Sequence, residues 1–327
     1  MSIEGNFDQG RILRTVTTDC QQYLAEYKGE PYREYREKWH RAISEYKKAD
    51  VPLQLAICLT SFCNLRCKMC YSRNMDLKPR EYMEMEMVER ITREAKELGV
   101  ASLWVGAGSF KSGSEACLHP DITKILRKFA EADPIDYWFL TNGTLLSAEV
   151  SLTLVDLPVN WLTVSLDAAT KETYRRIRGG DLDKVEKNIY EFLNIREKRN
   201  SRLPFLRVSF VYQEDNADEK KAFQEKWTGV ADMIDIQSMV DYRKDTSKET
   251  LDLSRVSLCT DLFRHMFIDY DGELRGCASH DDPEFRAYIQ DMTIREYWNS
   301  EWHNQLAESI RTRQFQPQCI ECLKRRM

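Results

Sequence analysis

Three closely spaced cysteines dominate the chemistry that this sequence can perform. Cys63, Cys67 and Cys70 form a C-x3-C-x2-C pattern in the segment CNLRCKMC. Three thiolates at this spacing suit a [4Fe–4S] cluster, and three ligands for four irons leave one iron open to bind and polarise a ligand. Structural zinc prefers a closed set of four ligands, and no fourth partner lies nearby in the sequence. The pattern therefore favours an iron–sulfur cluster over a zinc site or buried structural thiols.

A second group of four cysteines follows about two hundred residues later. Its members are Cys259, Cys277, Cys319 and Cys322. Four thiolates saturate a cubane or a zinc ion equally well, so the spacing alone leaves the metal open. Two other cysteines carry less information, since Cys58 is expected in the core of a strand and Cys20 has no evident role.

Six short apolar runs alternate with helical patterns in the middle of the chain. The runs cover residues 53–60, 100–105, 136–141, 160–166, 205–211 and 233–238. Between them, apolar residues recur at helical spacing, as in Met87, Ile91, Ala95 and Leu98. The alternation predicts parallel βαβ units and an α/β fold. In such folds reactive groups lie at the carboxyl ends of the strands, which is where the first cysteine group falls.

The flanking segments differ from the alternating region. Residues 19–48 carry an apolar stripe and predict a helix strapped across the outside of the main domain, with a substrate lid or partner-binding arm as the alternative. Residues 265–277 predict a hairpin with an Asp271-Gly272 turn, and residues 294–310 predict a helix. We expect a metal centre to stabilise the last part of the chain. The predicted units are a helical extension, a barrel and a small cluster-binding domain, at residues 1–50, 51–250 and 251–327.

Composition excludes several classes of protein. Hydrophobic residues make up 42% of the 327 residues, so a large core is expected. The net charge of −5, from 48 Lys and Arg against 53 Asp and Glu, argues against nucleic acid as the main partner. No apolar run approaches the roughly 18 residues of a membrane helix, and the start lacks the apolar region of a signal peptide. We therefore expect a cytoplasmic protein with no membrane or nucleic acid partner.

From residue 53 to about residue 240 the sequence resembles the radical S-adenosylmethionine (SAM) superfamily, because the three-cysteine motif follows the first strand. The resemblance implies a partial (β/α)6 TIM-like barrel whose open iron binds the amino and carboxylate groups of SAM. It also implies that an electron from the cluster cleaves the S–C5′ bond, and that the resulting 5′-deoxyadenosyl radical takes a hydrogen from a small-molecule substrate. An external electron donor such as a flavodoxin or ferredoxin is then expected.

Further segments resemble the motifs with which this family binds SAM. The residue before the third cysteine is usually aromatic, but here it is Met69, with Tyr71 just after that cysteine, so both are candidates for an adenine contact. Gly113-Ser114-Glu115 resembles the segment that receives the amino group of the methionine moiety. The other implied contacts are Asn142 in a Thr-Asn-Gly turn, Ser165 and Asp167 at the ribose hydroxyls, and Arg178 at the SAM carboxylate.

The second cysteine group resembles the twitch domain, a shortened relative of the SPASM domain. The resemblance implies one auxiliary [4Fe–4S] cluster, with structural zinc as the alternative. A full SPASM domain carries two clusters and needs more cysteines than follow residue 250.

Relatives with a twitch domain act on several kinds of substrate. We predict oxidation of a secondary alcohol on a sugar, cyclitol or sugar nucleotide, with the auxiliary cluster accepting the released electron. A carbohydrate epimerase is the first alternative, and Cys117 would then donate the returning hydrogen unless it is merely a small buried residue. Modification of a ribosomally made peptide is disfavoured, because the extension is only about 50 residues long and is predicted to contain helix only. An electron-carrier protein would have no use for an open iron.

The oxidation also needs a base for the hydroxyl proton. The sequence does not identify this base, and Asp241, Tyr242 and Arg207 are candidates only because they lie at or beyond strand ends.

Overall fold

The computed structural model describes most of the chain. The described residues are 2–3, 12–16, 19–74, 80–109, 112–241, 245–246, 248–254, 256–279 and 285–325. Tyr242, one of the candidate bases, lies outside them. No helix among the described residues is both long enough and apolar enough to cross a membrane.

Each of the six predicted strands is present. They are β3 (Gln54–Ile57), β4 (Ser102–Val105), β5 (Asp136–Thr141), β6 (Trp161–Ser165), β7 (Phe205–Tyr212) and β8 (Met233–Ser238). They pair in parallel and in sequence order, so the predicted α/β fold with a partial TIM-like barrel is confirmed. The helices of the connections are α3 (Met85–Leu98), α4 (Ile122–Ala130), α5 (Ala148–Asp156), α6 (Lys171–Arg178), α7 (Leu182–Lys198) and α8 (Lys220–Trp227).

The two faces of this sheet carry different side chains. On β3 and β4, Leu55 and Leu103 are fully buried in the large core that includes Ile91 of α3. The next residues along the two strands, Ala56 and Trp104, also pair with each other. They belong to a separate small cluster on the opposite, inner face. Because side chains alternate along a strand, the sheet buries one face under helices and turns the other towards the inside of the barrel.

The N-terminal segment closes the amino end of the barrel. Helices α1 (Cys20–Tyr27) and α2 (Glu30–Ser44) pack against the first residues of β6, β7 and β8. The Tyr35 hydroxyl donates to Asp136 at 3.3 Å, and the indole of Trp161 donates to the same carboxylate at 3.2 Å. The prediction of a strap across the outside is therefore wrong, because the aromatic stripe of α2 fills the end of the barrel.

The prediction of a purely helical extension is also wrong. Strands β1 (Ser2–Ile3) and β2 (Ile12–Val16) precede the helices, and β2 pairs antiparallel with β8. The open edge of β8 offers unpaired backbone groups, and the segment ILRTV has the β-branched residues that suit such an edge. These strands extend the sheet of the barrel and do not form a separate sheet.

The predicted hairpin is present, and it also continues the barrel sheet. Strands β9 (His265–Ile268) and β10 (Glu273–Arg275) are antiparallel, and Gly272 in their turn has φ = +87°, which glycine adopts without strain. β9 pairs in parallel with β3, a long-range contact that no local pattern indicates. A short strand, β11 (Ala287–Tyr288), completes the far edge.

The helix predicted over residues 294–310 is two helices. They are α9 (Ile294–Trp298) and α10 (Glu301–Arg311), separated because the Ser300 side chain accepts from the backbone N–H of His303 and starts a new helix. A last helix, α11 (Pro317–Arg325), follows. The domain boundaries after residues 50 and 250 remain predictions.

Candidate active site

The first cysteine group lies in the loop that follows β3, at the carboxyl end of the barrel. All three thiols are half-buried. The loop is fixed by its backbone, since the N–H of Lys68 donates to the Ile177 carbonyl of α6 at 2.8 Å. The N–H of Cys70 donates to the Cys67 carbonyl at 3.1 Å. Helix α6 therefore holds the loop that carries the three sulfur atoms.

Burial dominates the electrostatics of two of these thiols. It raises the pKa of Cys63 to about 12, with a smaller contribution from the neighbouring Glu115 carboxylate. Burial also raises the pKa of Cys67, and the Arg178 guanidinium opposes that shift. Burial therefore favours the protonated form of Cys63 and Cys67 in the metal-free chain, and binding of iron must displace their protons.

The surroundings of the loop fit an iron–sulfur cluster. The Asn142 amide nitrogen lies 3.6 Å from the Cys63 sulfur, where its N–H stabilises a thiolate. Gly113 approaches so closely that a Cβ there would lie 2.9 Å from the Ser72 hydroxyl and 3.5 Å from the backbone nitrogen of Cys63. Three thiols on one loop and a glycine that admits a close neighbour suit a [4Fe–4S] cluster with one iron left for another ligand.

Glu115 is buried and is used by the chain itself. One carboxylate oxygen accepts from the Thr141 hydroxyl at 2.7 Å and from the backbone N–H of Cys117 at 3.1 Å, while the other accepts from the N–H of Asn142 at 2.7 Å. Burial raises the pKa of Glu115 despite these hydrogen bonds. Glu115 thus ties its loop to the Thr-Asn-Gly turn after β5. Contacts of Gly113, Ser114 and Glu115 with SAM remain predictions.

The Thr-Asn-Gly turn braces the cysteine loop. The Asn142 amide donates to Asn64 at 2.8 Å, and its carbonyl oxygen accepts from the N–H of Thr144 at 2.9 Å. Gly143 has φ = +77°, and a Cβ there would meet Val185 at 2.8 Å, so no larger residue fits. The structure brings Asn142 to the cysteine loop, whereas its contact with SAM remains a prediction.

Asp167 and Arg178 bind each other, which the sequence did not indicate. The guanidinium donates to the Asp167 carboxylate at 2.7 Å, and the other oxygen of that carboxylate accepts from the N–H of Val211 at 2.7 Å. Both side chains are buried, and Asp167 has φ = +62°, an unusual backbone conformation for any residue but glycine. The pair locks α6 against the ends of β6 and β7. The separate SAM contacts that we predicted for these residues are untested.

The three remaining SAM candidates have different surroundings. Tyr71 donates its hydroxyl to the Ser112 carbonyl at 3.0 Å and packs against Gly108, so it fastens the loop after β4. Met69 is half-buried beside the cysteines, and Ser165 is half-buried at the end of β6. Both Met69 and Tyr71 remain candidates for the adenine contact.

Cys117 lies deep in the loop after β4. Its sulfur is 3.6 Å from the Thr141 hydroxyl, and burial raises its pKa well above the usual range, with a further contribution from Glu115. The side chain packs against the main core. These contacts suit a small buried residue, and its role as a hydrogen donor remains untested.

The second cysteine group lines one cavity. Cys259, Cys277, Cys319 and Cys322 all border it, and part of it is open to solvent. Burial, and then the neighbouring thiols of Cys322 and Cys319, raise the pKa of Cys277 to about 12. Four thiols around one space fit a cubane without an open iron.

The backbone beside one cysteine of this group reaches the inside of the barrel. Ala278, which directly follows Cys277, packs against the inner-face cluster of Ala56, Ala107 and Phe267. Cys259, Cys277 and Cys319 themselves pack against the cluster at the amino end of the barrel.

The inner face also carries a charged pair that the sequence only partly revealed. Arg207 of β7 contacts Asp235 of β8, and its guanidinium lies 5.5 Å from the ring centre of Trp138. Arg207 was a candidate at the sequence level, but Asp235 was missed because it lies within an apolar strand pattern. The signal was available, since a lone carboxylate between Ile234 and Ile236 must face the other side of the sheet. Asp241 lies half-buried beyond β8.

Comparison with known proteins agrees with this geometry. The Radical SAM superfamily model matches residues 57–201, and an iron–sulfur cluster-binding domain model, SPASM, matches residues 259–323. A probable GTP 3′,8-cyclase of Metallosphaera sedula is 28% identical over 172 residues, which cover 52% of this chain and 50% of that protein. The chain thus spans about half the length of the curated relatives it matches.

Solved structures show the same fold. SuiB of Streptococcus suis, bound to S-adenosylmethionine, has a TM-score of 0.58 at 16% identity and covers 84% of this chain and 71% of its own. Native anSMEcpe with bound AdoMet has a TM-score of 0.59 at 19% identity, and the alignment covers 84% of this chain and 89% of that one. The first matched domain binds a [4Fe–4S] cluster and SAM, and the second implies an auxiliary iron–sulfur cluster. The chain therefore contains a radical S-adenosylmethionine domain, at residues 57–201, and a SPASM-type cluster-binding domain, at residues 259–323.

Proposed function

We propose that this enzyme oxidises a secondary alcohol of a small polar substrate, such as a sugar, a cyclitol or a sugar nucleotide, to a ketone. One observation carries the proposal: four thiols line a single cavity, and the residue after one of them, Ala278, packs against the inner-face cluster of the barrel. A cluster with four protein ligands has no free iron to bind a substrate, so its remaining chemistry is to take up or release an electron.

The reaction balances with the groups that these sites hold. The reacting carbon loses its hydrogen atom, the resulting radical loses one electron, and the hydroxyl group loses a proton, so that a C=O bond replaces C–OH. When bound, SAM with its cluster supplies the hydrogen-abstracting radical, and the auxiliary cluster supplies a place for the electron. The chain itself must supply the group that accepts the proton.

Asp235 is our proposed proton acceptor. It lies on the inner face of β8, because Ile234 and Ile236 on either side of it pack into the outer core. Arg207 contacts its carboxylate and fixes its orientation. The indole of Trp138 beside this pair offers an apolar surface next to two charged groups. Such a combination suits the carbon face and the hydroxyl groups of a ring-shaped polyol.

Rearrangement of a nucleotide is a second candidate, because sequence relatives are named GTP 3′,8-cyclases. Their similarity covers only about half of each chain. The two candidates differ in the oxidation level of the product, since a cyclised isomer keeps all the electrons that a ketone loses.

The test is anaerobic turnover of reconstituted enzyme with SAM, a reductant and a panel of cyclitols, sugars, sugar nucleotides and GTP. We expect one class of alcohol to raise the rate of 5′-deoxyadenosine formation, with one ketone formed per 5′-deoxyadenosine. A product of the same mass as the substrate would contradict the proposal.

A variant pair then tests the base. Asp235→Asn should slow product formation by about 10²–10⁴-fold, the usual contribution of a general base, while SAM still binds. Asp232→Asn is the matched control, because Asp232 pairs with Arg196 of α7 at 2.6 Å, away from the inner face. Equal activity of the two variants would remove Asp235 from the mechanism.

A further inference from the structure

A buried histidine next to the auxiliary site has an unusual set of neighbours. His303 of α10 is fully buried. The ammonium nitrogen of Lys48 lies 2.8 Å from its Nδ1 and 2.7 Å from the Asn304 side-chain oxygen, and it also contacts the Trp298 carbonyl. Lys48 comes from the N-terminal segment, which therefore reaches the second cysteine domain through this contact.

This arrangement determines which ring nitrogen carries the proton. An ammonium group has donors and no acceptor, so Nδ1 must accept from Lys48. Burial, and then the charge of Lys48, lowers the pKa of His303 to about 3, so the ring is neutral near pH 7. A neutral ring has one N–H, which is therefore on Nε2.

The Nε2–H group lies against the backbone that leads to a cysteine of the auxiliary site. It has no hydrogen-bond partner among the described residues. A Cβ on Gly276 would lie 2.9 Å from Cδ2 and 3.1 Å from Nε2 of His303, so only glycine allows this approach. Gly276 directly precedes Cys277. A buried donor without an acceptor destabilises the fold, so such a group calls for a partner.

We propose that His303, oriented by Lys48, directs its Nε2–H towards the sulfur atoms of the auxiliary site at Cys277 and raises the reduction potential of the auxiliary cluster. A reduced cluster carries one more negative charge than an oxidised one, so a fixed N–H donor beside it stabilises the reduced form more. The N–H of Ser279 already hydrogen-bonds to Cys277, and the histidine adds a donor from another helix. This inference does not depend on the identity of the substrate.

The experiment is a redox titration of the intact, reconstituted enzyme followed by electron paramagnetic resonance. Added SAM alters the signal of the first cluster only, which separates the two signals. Without the donor, the reduction potential of the auxiliary cluster should fall. At the potential where the auxiliary cluster of the wild type is half reduced, we expect the ratio of reduced to oxidised cluster in His303→Phe to be about tenfold lower, which corresponds to a shift of about 59 mV. We expect Lys48→Met to lower the reduction potential of the same cluster, because no lysine then orients the His303 ring.

Two controls separate the donor from mere packing. His303→Gln keeps an N–H donor and should titrate nearer to the wild type than His303→Phe does. Asn304→Ala removes one partner of Lys48 but leaves the lysine–histidine contact, so its auxiliary cluster should titrate as in the wild type. An unchanged auxiliary potential in both His303→Phe and Lys48→Met would overturn the proposal. If His303→Phe loses its auxiliary iron, Lys48→Met decides alone, and an unchanged potential there overturns it.

Discussion

The two cysteine sites of this protein are built in opposite ways. The first takes three thiols from the eight-residue segment CNLRCKMC, which a single loop supplies. The second takes four thiols from three separate segments, at Cys259, Cys277 and the pair Cys319 and Cys322. The first loop is held by α6 and by the turn after β5, whereas Cys319 and Cys322 lie on α11, of which only Leu323 is buried. Protein contacts thus form the first site, and the metal itself must help to hold the second together.

This difference also separates the two tasks. In the proposed mechanism, an open iron at the first site binds a reactant, while a saturated cluster at the second only exchanges an electron. Loss of the first site should therefore stop the reaction at its start, and loss of the second should stop it after radical formation.

Removal of the first site should have the largest effect. Replacing Cys63, Cys67 and Cys70 together by Ala should lower the iron content from about eight to about four per chain. Cleavage of SAM should cease, because no iron remains to bind it. Iron analysis and chromatography of 5′-deoxyadenosine check both points. Loss of all eight irons would show that the two sites are not independent.

Removal of the second site should uncouple the reaction. With Cys319 and Cys322 replaced by Ala, ketone formation should stop while SAM cleavage continues, and residues 259–322 should become sensitive to proteolysis. Cys117→Ala is the control, since this thiol belongs to neither site and the variant should keep full turnover. Normal product from the double variant would show that the second cluster is dispensable.

The ion pair behind the first site should matter for stability. Arg178→Met leaves the buried Asp167 carboxylate unpaired, which usually costs about 3–5 kcal/mol. Arg199→Met is the control, because its pair with Asp156 is exposed and such pairs contribute about 0–1 kcal/mol. Denaturant unfolding of both variants gives the comparison. Equal losses of unfolding free energy in the two variants would show that α6 holds the cysteine loop without the pair of Asp167 and Arg178.

The smallest expected effect is a pH dependence that arises at the second site. The pKa of His303 is about 3 in the folded chain and about 6.5 when unfolded, so below pH 6.5 the unfolded state binds the extra proton. Stability should therefore fall with falling pH, by at most about 1.4 kcal/mol per pH unit, or about 2 kcal/mol at pH 5. Thermal midpoints of the wild type and His303→Gln should converge as the pH falls. Parallel pH curves for the two proteins would contradict this.

Local patterns were sufficient to predict the barrel strands and to place the first cysteine group in the loop after β3. Each strand of the barrel is a short apolar run bounded by polar residues, and the three thiols lie in one loop. The pairing of β9 with β3 and of β2 with β8 joins segments about 200 residues apart, and no local pattern reports such contacts.

Side-chain partners were harder to predict than positions. Asp167 and Arg178 were both placed at the carboxyl end of the barrel, but their mutual pairing depends on a left-handed backbone at Asp167 that the sequence does not reveal. The contact between Lys48 and His303 was missed for a similar reason, since it depends on how two distant helical segments pack.

The central claim is that the first site starts a radical oxidation and the second completes it. A single turnover in deuterium oxide with an accepted alcohol tests this most directly, with mass spectrometry of the product. The account predicts a product two hydrogens lighter than the substrate, without deuterium at the reacting carbon, and one 5′-deoxyadenosine per molecule. A product of unchanged oxidation level that carries one deuterium would contradict it, assign the enzyme to the epimerases and make Cys117 the first candidate for the hydrogen donor.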